Sequence, residues 1–520
     1  MQTKIQNPVL TGFNPDPCIL RVGKKYYMAT STFEYYPGVQ IFESDDLANW
    51  TIVARPITQK FQDRTGLPHG GGVWAPCLSH DGEKFYLVYS RITNWFTEPF
   101  KDCDNFVITA TDLKGEWSDP QYLNSDGFDA SLFHDGDKSY YMSVEWDYRK
   151  PVGAAQFAGI LLWEFDRKTC SVIGKPKKIF RGTDRGLVEA PHIYKIGEYY
   201  YLFTAEGGTN VEHAETVARS KNVFGPYEVH PNKHLITSYQ TDNPLQKAGH
   251  ASLVDDGNGN YYIAHLCGRK LYKGNCVLGR ETSIQNVVFK EDGWMYLTHG
   301  GMQPREYFTV PYEVEVKPKK GGKIPFTEET LMTVYQSLRT PLSGKYRILS
   351  PESIQLTGAE SIVSLHNQTL LAVRQEDVAF EASVKVDFEP EKHSHWAGLI
   401  YRYNEANQFI VYMSRDVEQG KNLLYIYSYQ KGVWGLTETG VEVGNSVYLK
   451  VQADTEGGQF YYSKDGKNYT AIGSLFDNSV LSDEVASPMG FTGAFVGMYV
   501  GDFSLKEKTA VFTDFEYLPR

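Results

Sequence analysis

Carboxylates recur at one place in a segment that is repeated along the first half of the chain. Five copies of the segment begin at Asp16, Ala75, Asp129, Ala190 and His250. The residues immediately before these starts are Pro15, Trp74, Phe128, Glu189 and Gly249. Carboxylates that meet at one point can take protons from a bound molecule or give protons to it. Asp16, Asp129 and Glu189 are therefore the first candidates for chemistry.

The repeat itself predicts how these residues are positioned. Each copy runs through apolar residues into a glycine turn and then an aromatic stretch, and the turn glycines at 23, 82, 136, 197 and 257 are 54 to 61 residues apart. A repeat of this length built on a hairpin is typical of a propeller blade of four antiparallel strands. Five copies predict five blades, and equivalent positions then surround one central axis.

The fold alone does not require carboxylates at the axis, because two copies begin with Ala and the other four lack Glu before the start. Simpler roles stay open for two of them. Asp16 lies between two prolines and can serve as a turn acceptor, and Asp129 can cap the start of a strand. Glu189 follows Val188 in an apolar run where an unpaired carboxylate would be costly, which favours a function.

Composition narrows the class of ligand. The chain has 520 residues, with 52 Lys and Arg against 63 Asp and Glu and a net charge of -11. This balance disfavours nucleic acid and suits a neutral ligand. Aromatic residues make up 14% of the chain, which is compatible with carbohydrate.

Cysteine usage and hydropathy bear on the cellular compartment. The six cysteines lack CxxC spacing and are interpreted as reduced core residues. The first residues contain no apolar signal region, and no run of eighteen apolar residues occurs. We therefore expect a cytoplasmic enzyme that does not bind membranes.

The second part of the chain has a different pattern. The repeat is absent from Ile324 onward, after a Lys- and Gly-rich segment (312–323) that indicates a hinge. Period-two alternation then predicts strands at 380–388, 397–403, 409–413, 423–429 and 447–453, with a hairpin at Asp465-Gly466. These features predict an all-β chain in two domains, a propeller at 1–312 and a two-sheet sandwich at 324–520.

Several motifs carry a resemblance to a known family. They are GFNPDP (12–17), GVWAP (72–76), GFDASLFHDG (127–136), GLVEAPHIYK (186–195), AGHASLV (248–254), LGRETSIQ (278–285) and GFTGAFVGM (490–498). Together they resemble the β-xylosidases and α-L-arabinofuranosidases of glycoside hydrolase family 43. The resemblance covers both domains and implies a five-bladed β-propeller followed by a concanavalin-like β-sandwich.

Family 43 enzymes hydrolyse glycosides with inversion, and the resemblance implies a role for each carboxylate. Asp16 is the base that activates water, Glu189 is the acid that protonates the leaving oxygen, and Asp129 orients Glu189 and keeps its pKa high. An inverting enzyme needs one ionised and one protonated carboxyl on opposite faces of the sugar. A neighbouring negative charge opposes ionisation of the acid.

The resemblance also suggests residues that bind substrate. By default Phe33 and Trp74 are core aromatics, but they lie beside axial motifs and can stack on the sugar. Arg280 matches an arginine that bonds sugar hydroxyls, although a surface role stays open, and His250 contacts substrate or channel water. No cofactor is expected; a divalent cation near His250, as in some relatives, is the alternative. His213 and Glu206 are secondary candidates.

The domain at 324–520 is expected to contribute to the rim of the active site. The glycines and phenylalanines of 490–498 favour a loop that meets another surface, with a sandwich strand as the alternative. The resemblance implies that this loop places Phe495 at the propeller's mouth. Such a lid would leave a pocket for the terminal sugar only. Similar two-domain enzymes are homo-oligomers, and we expect a tetramer.

The predicted function is removal of xylose from the non-reducing end of β-1,4-xylo-oligosaccharides. Activity mainly on α-L-arabinofuranosides is the alternative within the same class. A non-catalytic sugar-binding propeller would be indicated by loss of a carboxylate, but all three are present. A fructosidase of the retaining type is disfavoured, since its NDPNG-type start is replaced here by NPDP.

Overall fold

The protein is an all-β chain. The computed structural model describes residues 2–58, 65–96, 98–318, 321–487 and 489–520, so Lys319 and Lys320 of the predicted hinge lie outside the described residues. In the described ranges the helices are α1 (Glu328–Thr333) and two 3-10 turns, Ala154–Gln156 and Asn478–Val480. None of these helices is long enough to cross a bilayer.

The first 310 residues form short antiparallel strands. In chain order these strands are β1 (Thr3–Gln6), β2 (Cys18–Val22), β3 (Lys25–Thr30), β4 (Tyr35–Tyr36), β5 (Gln40–Ser44), β6 (Thr51–Ala54), β7 (Gly72–His80), β8 (Phe85–Asn94), β9 (Asp102–Ala110), β10 (Gln121–Asn124), β11 (Ser131–Asp135), β12 (Lys138–Trp146), β13 (Phe157–Asp166), β14 (Ser171–Phe180), β15 (Glu189–Ile196), β16 (Tyr199–Glu206), β17 (Ala214–Ser220), β18 (Glu228–Thr237), β19 (Gln246–Asp255), β20 (Tyr261–Gly268), β21 (Glu281–Phe289), β22 (Met295–Leu297) and β23 (Tyr307–Val310).

Over the described residues these strands build sheets of four. The orders are β2-β3-β5-β6, β7-β8-β9-β10, β11-β12-β13-β14, β15-β16-β17-β18 and β19-β20-β21-β22, while β1 pairs with β23. The first strand of each sheet contacts the first strand of the next, and β19 contacts β2. The first strands therefore surround a common axis.

The predicted hairpins are present at the start of these sheets. Val22 pairs with Lys25 and Asp135 with Lys138, so each turn has two residues and begins with glycine. Gly23 has φ 62° and Gly136 has φ 58°, a left-handed conformation that glycine adopts without steric cost.

The remaining strands form a second, two-layered unit. They are β24 (Gly322–Lys323), β25 (Ser337–Leu338), β26 (Tyr346–Ser350), β27 (Ser353–Thr357), β28 (Thr369–Arg374), β29 (Phe380–Phe388), β30 (His395–Asn404), β31 (Asn407–Asp416), β32 (Lys421–Gln430), β33 (Val433–Val443), β34 (Ser446–Ala453), β35 (Gly458–Ser463), β36 (Thr470–Phe476), β37 (Phe495–Asp502) and β38 (Thr509–Pro519). The five strands predicted from alternation lie within β29, β30, β31, β32 and β34.

These strands form two sheets that pack face to face. One has the order β26-β27-β38-β29-β34-β35-β36 with β24 on β38, and the other has the order β28-β37-β30-β31-β32-β33. Alternate residues of β29, including Phe380, Val384 and Phe388, are buried in the core between the sheets. The period-two pattern follows from this burial of one face.

The propeller half and the sandwich half are joined by strand pairing and by a buried group of charged residues. Strand β25 pairs with β4, which lies between β3 and β5 in the chain but is not part of their sheet. Lys247 Nζ lies 3.3 Å from Asp483 Oδ2 and 2.8 Å from Glu484 Oε1, and both Lys247 and Asp483 are buried. A surface of the second half is thereby held against the end of the propeller where the repeats begin.

Candidate active site

The five repeat starts share an unusual backbone conformation. Asp16, Ala75, Asp129, Ala190 and His250 have φ of 56°, 34°, 53°, 51° and 51°. Left-handed backbone is uncommon for residues other than glycine and persists only where the surrounding structure holds it. Each kink lies within the first half of an inner strand or just before it, so equivalent side chains turn towards the axis.

A cavity of about 230 Å³ lies at these starts. Seven of the eight predicted site residues line it, namely Asp16, Asp129, Glu189, Phe33, Trp74, His250 and Arg280. Phe495 is not among the lining residues. Further walls come from Trp95, Lys101, Phe128, Trp146, Phe157, Met489 and Phe491.

Asp16 is buried and held by two donors. Arg280 Nη1 lies 2.9 Å from Oδ1, and the Ser31 hydroxyl donates to Oδ2 over 2.6 Å. Ser31 Oγ also accepts the Ala75 N–H, which leaves its proton directed at Asp16. Burial raises the pKa of Asp16, but Arg280, His250 and the Ser31 bond outweigh it and lower the pKa below the ordinary value. Asp16 is therefore ionised at neutral pH.

Asp129 and Glu189 have the opposite electrostatic character. Burial raises the pKa of Glu189 well above its usual range, and the neighbouring Asp129 raises it further. Burial and the charge of Asp16 raise the pKa of Asp129 to about 7, against the effect of Lys101. Because the two carboxyls interact, they titrate as a pair that retains a proton at neutral pH.

Lys101 is a charged wall residue that no repeat or motif predicted. Its Nζ lies 4.2 Å from the ring centroid of Phe128 and 4.4 Å from that of Trp146. Burial lowers the pKa of Lys101, while the charges of Glu189 and Asp129 oppose this effect. The aromatic rings hold the ammonium group beside the acidic pair.

The histidines near Asp16 are neutral at physiological pH. Burial lowers the pKa of His250 to about 4, although Nδ1 lies 3.5 Å from Asp16 Oδ1. Burial also lowers the pKa of His213 to about 3, and its ring contacts the Lys247 carbonyl over 2.9 Å. His213 does not line the cavity.

The groups around His250 do not fit a divalent cation. The Asp16 oxygen that lies nearest to His250, Oδ1, already accepts a hydrogen bond from Arg280. A cation between His250 and Asp16 would therefore be repelled by the arginine. Among the described residues, His250 belongs to no group of three close His, Cys, Asp or Glu ligand atoms. The secondary candidate Glu206 does not line the cavity. Its carboxylate accepts a hydrogen bond from the Thr183 N–H over 2.7 Å.

The aromatic wall joins the two halves of the chain. Phe491 stacks on Phe33, with ring centroids 5.6 Å apart and an interplanar angle of 13°. It also packs 5.3 Å from Trp74 and 4.8 Å from Trp95, both centroid distances. The predicted contribution of the second half to the cavity therefore comes from Phe491 and Met489.

The placement of Phe495 at this wall was wrong. Phe495 begins strand β37, is completely buried, and stacks on Tyr35 with centroids 3.8 Å apart. It packs between the two halves, where strand geometry directs it away from the cavity. The loop prediction holds for residues 490–494, which precede the strand.

Glycines bring this loop close to the propeller. A Cβ on Gly279, which has φ 75°, would lie 2.1 Å from the Thr492 carbonyl oxygen, and one on Gly493 would lie 2.7 Å from that of Leu278. The Ala494 N–H donates to the Val277 carbonyl over 3.0 Å. Arg280 Nη2 in turn donates to the Phe491 carbonyl, so the loop helps to hold the arginine on Asp16.

Sequence reasoning missed Ser31, Lys101 and Phe491. For Phe491 a signal existed, because Gly490 and Gly493 flank it and mark the part of the stretch that approaches another backbone. Ser31 lies in the segment ATSTFEYYPGVQIFES (29–44), which also carries the family resemblance, but nothing there singles out its hydroxyl. Lys101 lies between β8 and β9, in a segment that belongs to no repeat or motif. Their roles depend on contacts with residues distant in the chain or on other strands: Lys101 with Asp129 and Glu189, Ser31 with Asp16 and Ala75, and Phe491 with Phe33 and Trp74.

The cavity combines an ionised carboxylate, a proton-holding carboxyl pair and an aromatic wall. This set is that of an acid–base glycoside hydrolase. Comparison with known proteins gives the same class: the family model described as "Glycosyl hydrolases family 43" matches residues 5–295. A second, "Beta xylosidase C-terminal Concanavalin A-like domain", matches residues 323–518. The chain belongs to glycoside hydrolase family 43, whose members are inverting enzymes with a β-propeller.

Curated relatives and solved structures resemble the whole chain. A "Xylosidase/arabinosidase 43B" of Humicola insolens is 43% identical, with 99% of this chain and 98% of the relative covered. A "Beta-xylosidase" of Bacillus subtilis (strain 168) is 42% identical, with 99% of each chain covered. The crystal structure of a xylan beta-1,4-xylosidase from Bacillus halodurans C-125 is 40% identical with a TM-score of 0.93, covering 99% of this chain and all of the other.

Proposed function

We propose that the protein is an exo-acting inverting β-xylosidase that releases xylose from the non-reducing end of short β-1,4-xylo-oligosaccharides. The observation that carries the proposal is the cavity at the repeat starts. Its volume of about 230 Å³ is below the range of about 300–1,000 Å³ usual for larger ligands, which suits one sugar unit. The names of the relatives support xylose as that unit.

The proposed reaction uses the residues in three roles. Asp16, ionised, takes a proton from water as the water oxygen bonds to the anomeric carbon from the face opposite the leaving group. Glu189 gives its proton to the glycosidic oxygen as the carbon–oxygen bond breaks. Asp129 positions Glu189: the Ala190 N–H, adjacent to Glu189, bonds its carboxylate, and its charge raises the pKa of the acid. The products are α-xylose and the shortened oligosaccharide.

The remaining lining residues are proposed to bind the sugar. Phe33, Trp74 and Phe491 form an apolar face for the ring. Arg280 has donors at the cavity, and neutral His250 can exchange a hydrogen bond with a hydroxyl. The proposal includes no cation near His250, because the Arg280 guanidinium already pairs with the neighbouring Asp16 carboxylate.

The architecture proposed for this function is a propeller of five blades. The five sheets of four strands and the closed ring of first-strand contacts support that number. The sandwich at 324–520 supplies Phe491 to the wall and so limits the depth of the site. We also propose a homotetramer, as expected for similar enzymes; light scattering of the purified protein measures its mass.

Stereochemistry tests the catalytic proposal. Proton NMR during hydrolysis of xylobiose should show α-xylose before mutarotation, and β-xylose appearing first would exclude inversion with these roles. Glu189→Ala should reduce kcat/KM for xylobiose far more than for 4-nitrophenyl β-D-xylopyranoside, because nitrophenolate leaves with little protonation. Equal losses on both substrates would exclude Glu189 as the acid.

A second candidate is mainly α-L-arabinofuranosidase activity. The name "Xylosidase/arabinosidase 43B" of one relative, and that of a Bacteroides ovatus relative that is a "Non-reducing end alpha-L-arabinofuranosidase", favour testing it. The ratio of kcat/KM for 4-nitrophenyl β-D-xylopyranoside and 4-nitrophenyl α-L-arabinofuranoside separates the two candidates. A ratio below one would replace the first proposal with the second.

A further inference from the structure

A second ring of polar side chains lies deeper along the axis. Two positions after each repeat start the residues are Cys18, Cys77, Ser131, His192 and Ser252. Each lies two residues after a repeat start, and because strand side chains alternate between two directions, these side chains point to the axis like those of the starts. Unlike the surrounding core, this ring carries thiol, hydroxyl and imidazole groups in place of aliphatic ones.

Three members of the ring meet at one point. Cys18 Sγ, Cys77 Sγ and a ring nitrogen of His192 all lie within 4.8 Å of one another. They come from β2, β7 and β15, which belong to three different sheets. Cys18 and Cys77 are 4% and 3% exposed, so both residues are almost completely buried.

The cluster faces a different cavity from the carboxylates. A cavity of about 500 Å³ is lined by Cys18, Cys77 and His192 together with the hairpin residues His80, Lys195 and Gly197. These hairpin turns lie at the far ends of the inner strands from Asp16 and Glu189. An ion can thus reach the cluster from the opposite mouth of the propeller without passing the sugar site.

The donor set is that of a zinc site. Two thiolates and an imidazole, with an open fourth position, match zinc sites of the Cys₂His type. With bonds of about 2.3 Å to sulfur and about 2.0 Å to nitrogen, tetrahedral geometry places the donor atoms about 3.3–3.8 Å apart. The observed separations do not exceed 4.8 Å, so small side-chain movements would bring the three donor atoms to these distances.

Without a metal the two thiols donate to backbone carbonyls, Cys18 to Leu78 and Cys77 to Leu132, and metal binding would replace these two protons. The Leu78 N–H donates to Cys18 Sγ over 3.3 Å, the kind of contact that stabilises a metal-bound sulfur. Ser131 Oγ donates to the Pro191 carbonyl and Ser252 Oγ to the Pro17 carbonyl, so both hydroxyls are already engaged. Water in the larger cavity can complete the coordination.

We propose that Cys18, Cys77 and His192 form a zinc-binding site that joins three inner strands across the propeller axis. The ordinary alternative is that the two cysteines act as small apolar core residues. That alternative does not account for an imidazole at the same point or for the adjoining cavity. Since the site exists only when the three sheets are assembled, zinc bound there stabilises the folded protein.

Cobalt substitution tests the site. The reduced full-length protein, freed of metal by a chelator and exchanged into chelator-free buffer, is titrated with Co²⁺. We expect one equivalent per chain, with a thiolate-to-cobalt charge-transfer band that Zn²⁺ abolishes. Thermal scans with Zn²⁺ should show a Tm that rises with the metal concentration. Cys18→Ser, Cys77→Ser and His192→Ala should each lose the band and the rise in Tm.

The matched control is Cys267→Ser. Cys267 is as buried as the cluster cysteines, but its Sγ contacts Ser283 Oγ and it is not part of the cluster. This variant should keep both the band and the rise in Tm. Absence of the band in the unmodified protein, or its persistence in the folded His192→Ala variant, would overturn the proposal. The His192 variant keeps both thiols, so it remains informative if a cysteine variant fails to fold.

Discussion

The ring of Phe491 stacks on that of Phe33, 5.6 Å away and 13° from parallel, although the two residues belong to different halves of the chain. The same phenylalanine offers its carbonyl to Arg280, whose other terminal nitrogen bonds Asp16. One loop of the sandwich therefore contributes both to the aromatic wall of the cavity and to the hold on the arginine that lowers the pKa of Asp16. Docking of the second half is part of the assembly of the active site.

Replacing Phe491 and Phe495 one at a time distinguishes an effect on substrate binding from an effect on the stability of the protein. Phe491→Ala should raise KM for xylobiose about 3- to 10-fold, the equivalent of about 0.5–1.5 kcal/mol of aromatic contact. Phe495→Ala should leave KM almost unchanged but destabilise the protein by about 3–5 kcal/mol, because it empties a buried position. Initial-rate kinetics and thermal unfolding measure the two effects. A larger KM effect at Phe495 than at Phe491 would contradict the observed packing.

Asp129→Asn should move the alkaline limb of the kcat/KM profile to lower pH. The acid must be protonated, so activity falls as pH rises through the pKa of the Asp129–Glu189 pair. Removing the charge of Asp129 lowers the pKa of Glu189, and a shift of about one pH unit is expected. Asp135→Asn, at a partly buried aspartate that is bonded to Lys195 at the far end of its strand, is the control that should leave the limb in place. An unmoved limb in Asp129→Asn would reduce Asp129 to a structural residue.

Lys101→Met should shift the same limb in the opposite direction. The Lys101 charge lowers the pKa of both Glu189 and Asp129, so its loss makes the pair hold its proton to higher pH. The direction of the shift distinguishes this electrostatic effect from a general loss of activity. Lys177→Met, which removes a lysine that lies beside Phe224 away from the site, serves as the comparison. An unmoved limb in Lys101→Met would show that Lys101 acts through packing alone, and a downward shift would contradict the electrostatic effect.

Lys247→Met should weaken the attachment of the sandwich. Its ammonium group is buried against Asp483 and Glu484, and removing one member of such a cluster leaves an uncompensated charge at a cost of about 3–5 kcal/mol. Lys233→Met breaks an exposed pair with Asp184, which solvent screens, and should change the stability far less. Thermal unfolding compares the two variants. Equal changes in Tm would mean that the buried cluster does not secure the interface.

The sequence by itself determined the repeat and the residues at its starts. Hairpin turns with glycine and period-two strands depend on local backbone preferences and on burial of one face, which are written into neighbouring residues. Equivalence between copies was therefore enough to bring Asp16, Asp129, Glu189 and His250 to one axis. The strands of the sandwich could be located for the same reason.

Tertiary structure decided which residues complete the site. Phe491 and Phe495 have nearly the same sequence context, but the first lies in a loop that glycines hold against Leu278, and the second begins a strand that buries it against Tyr35. Lys101 acts through partners in other sheets, as do Cys18, Cys77 and His192 in the second ring, and Ser31 links Asp16 of its own repeat to Ala75 of the next sheet. Such contacts depend on the distances between elements far apart in the chain, which local pattern does not encode.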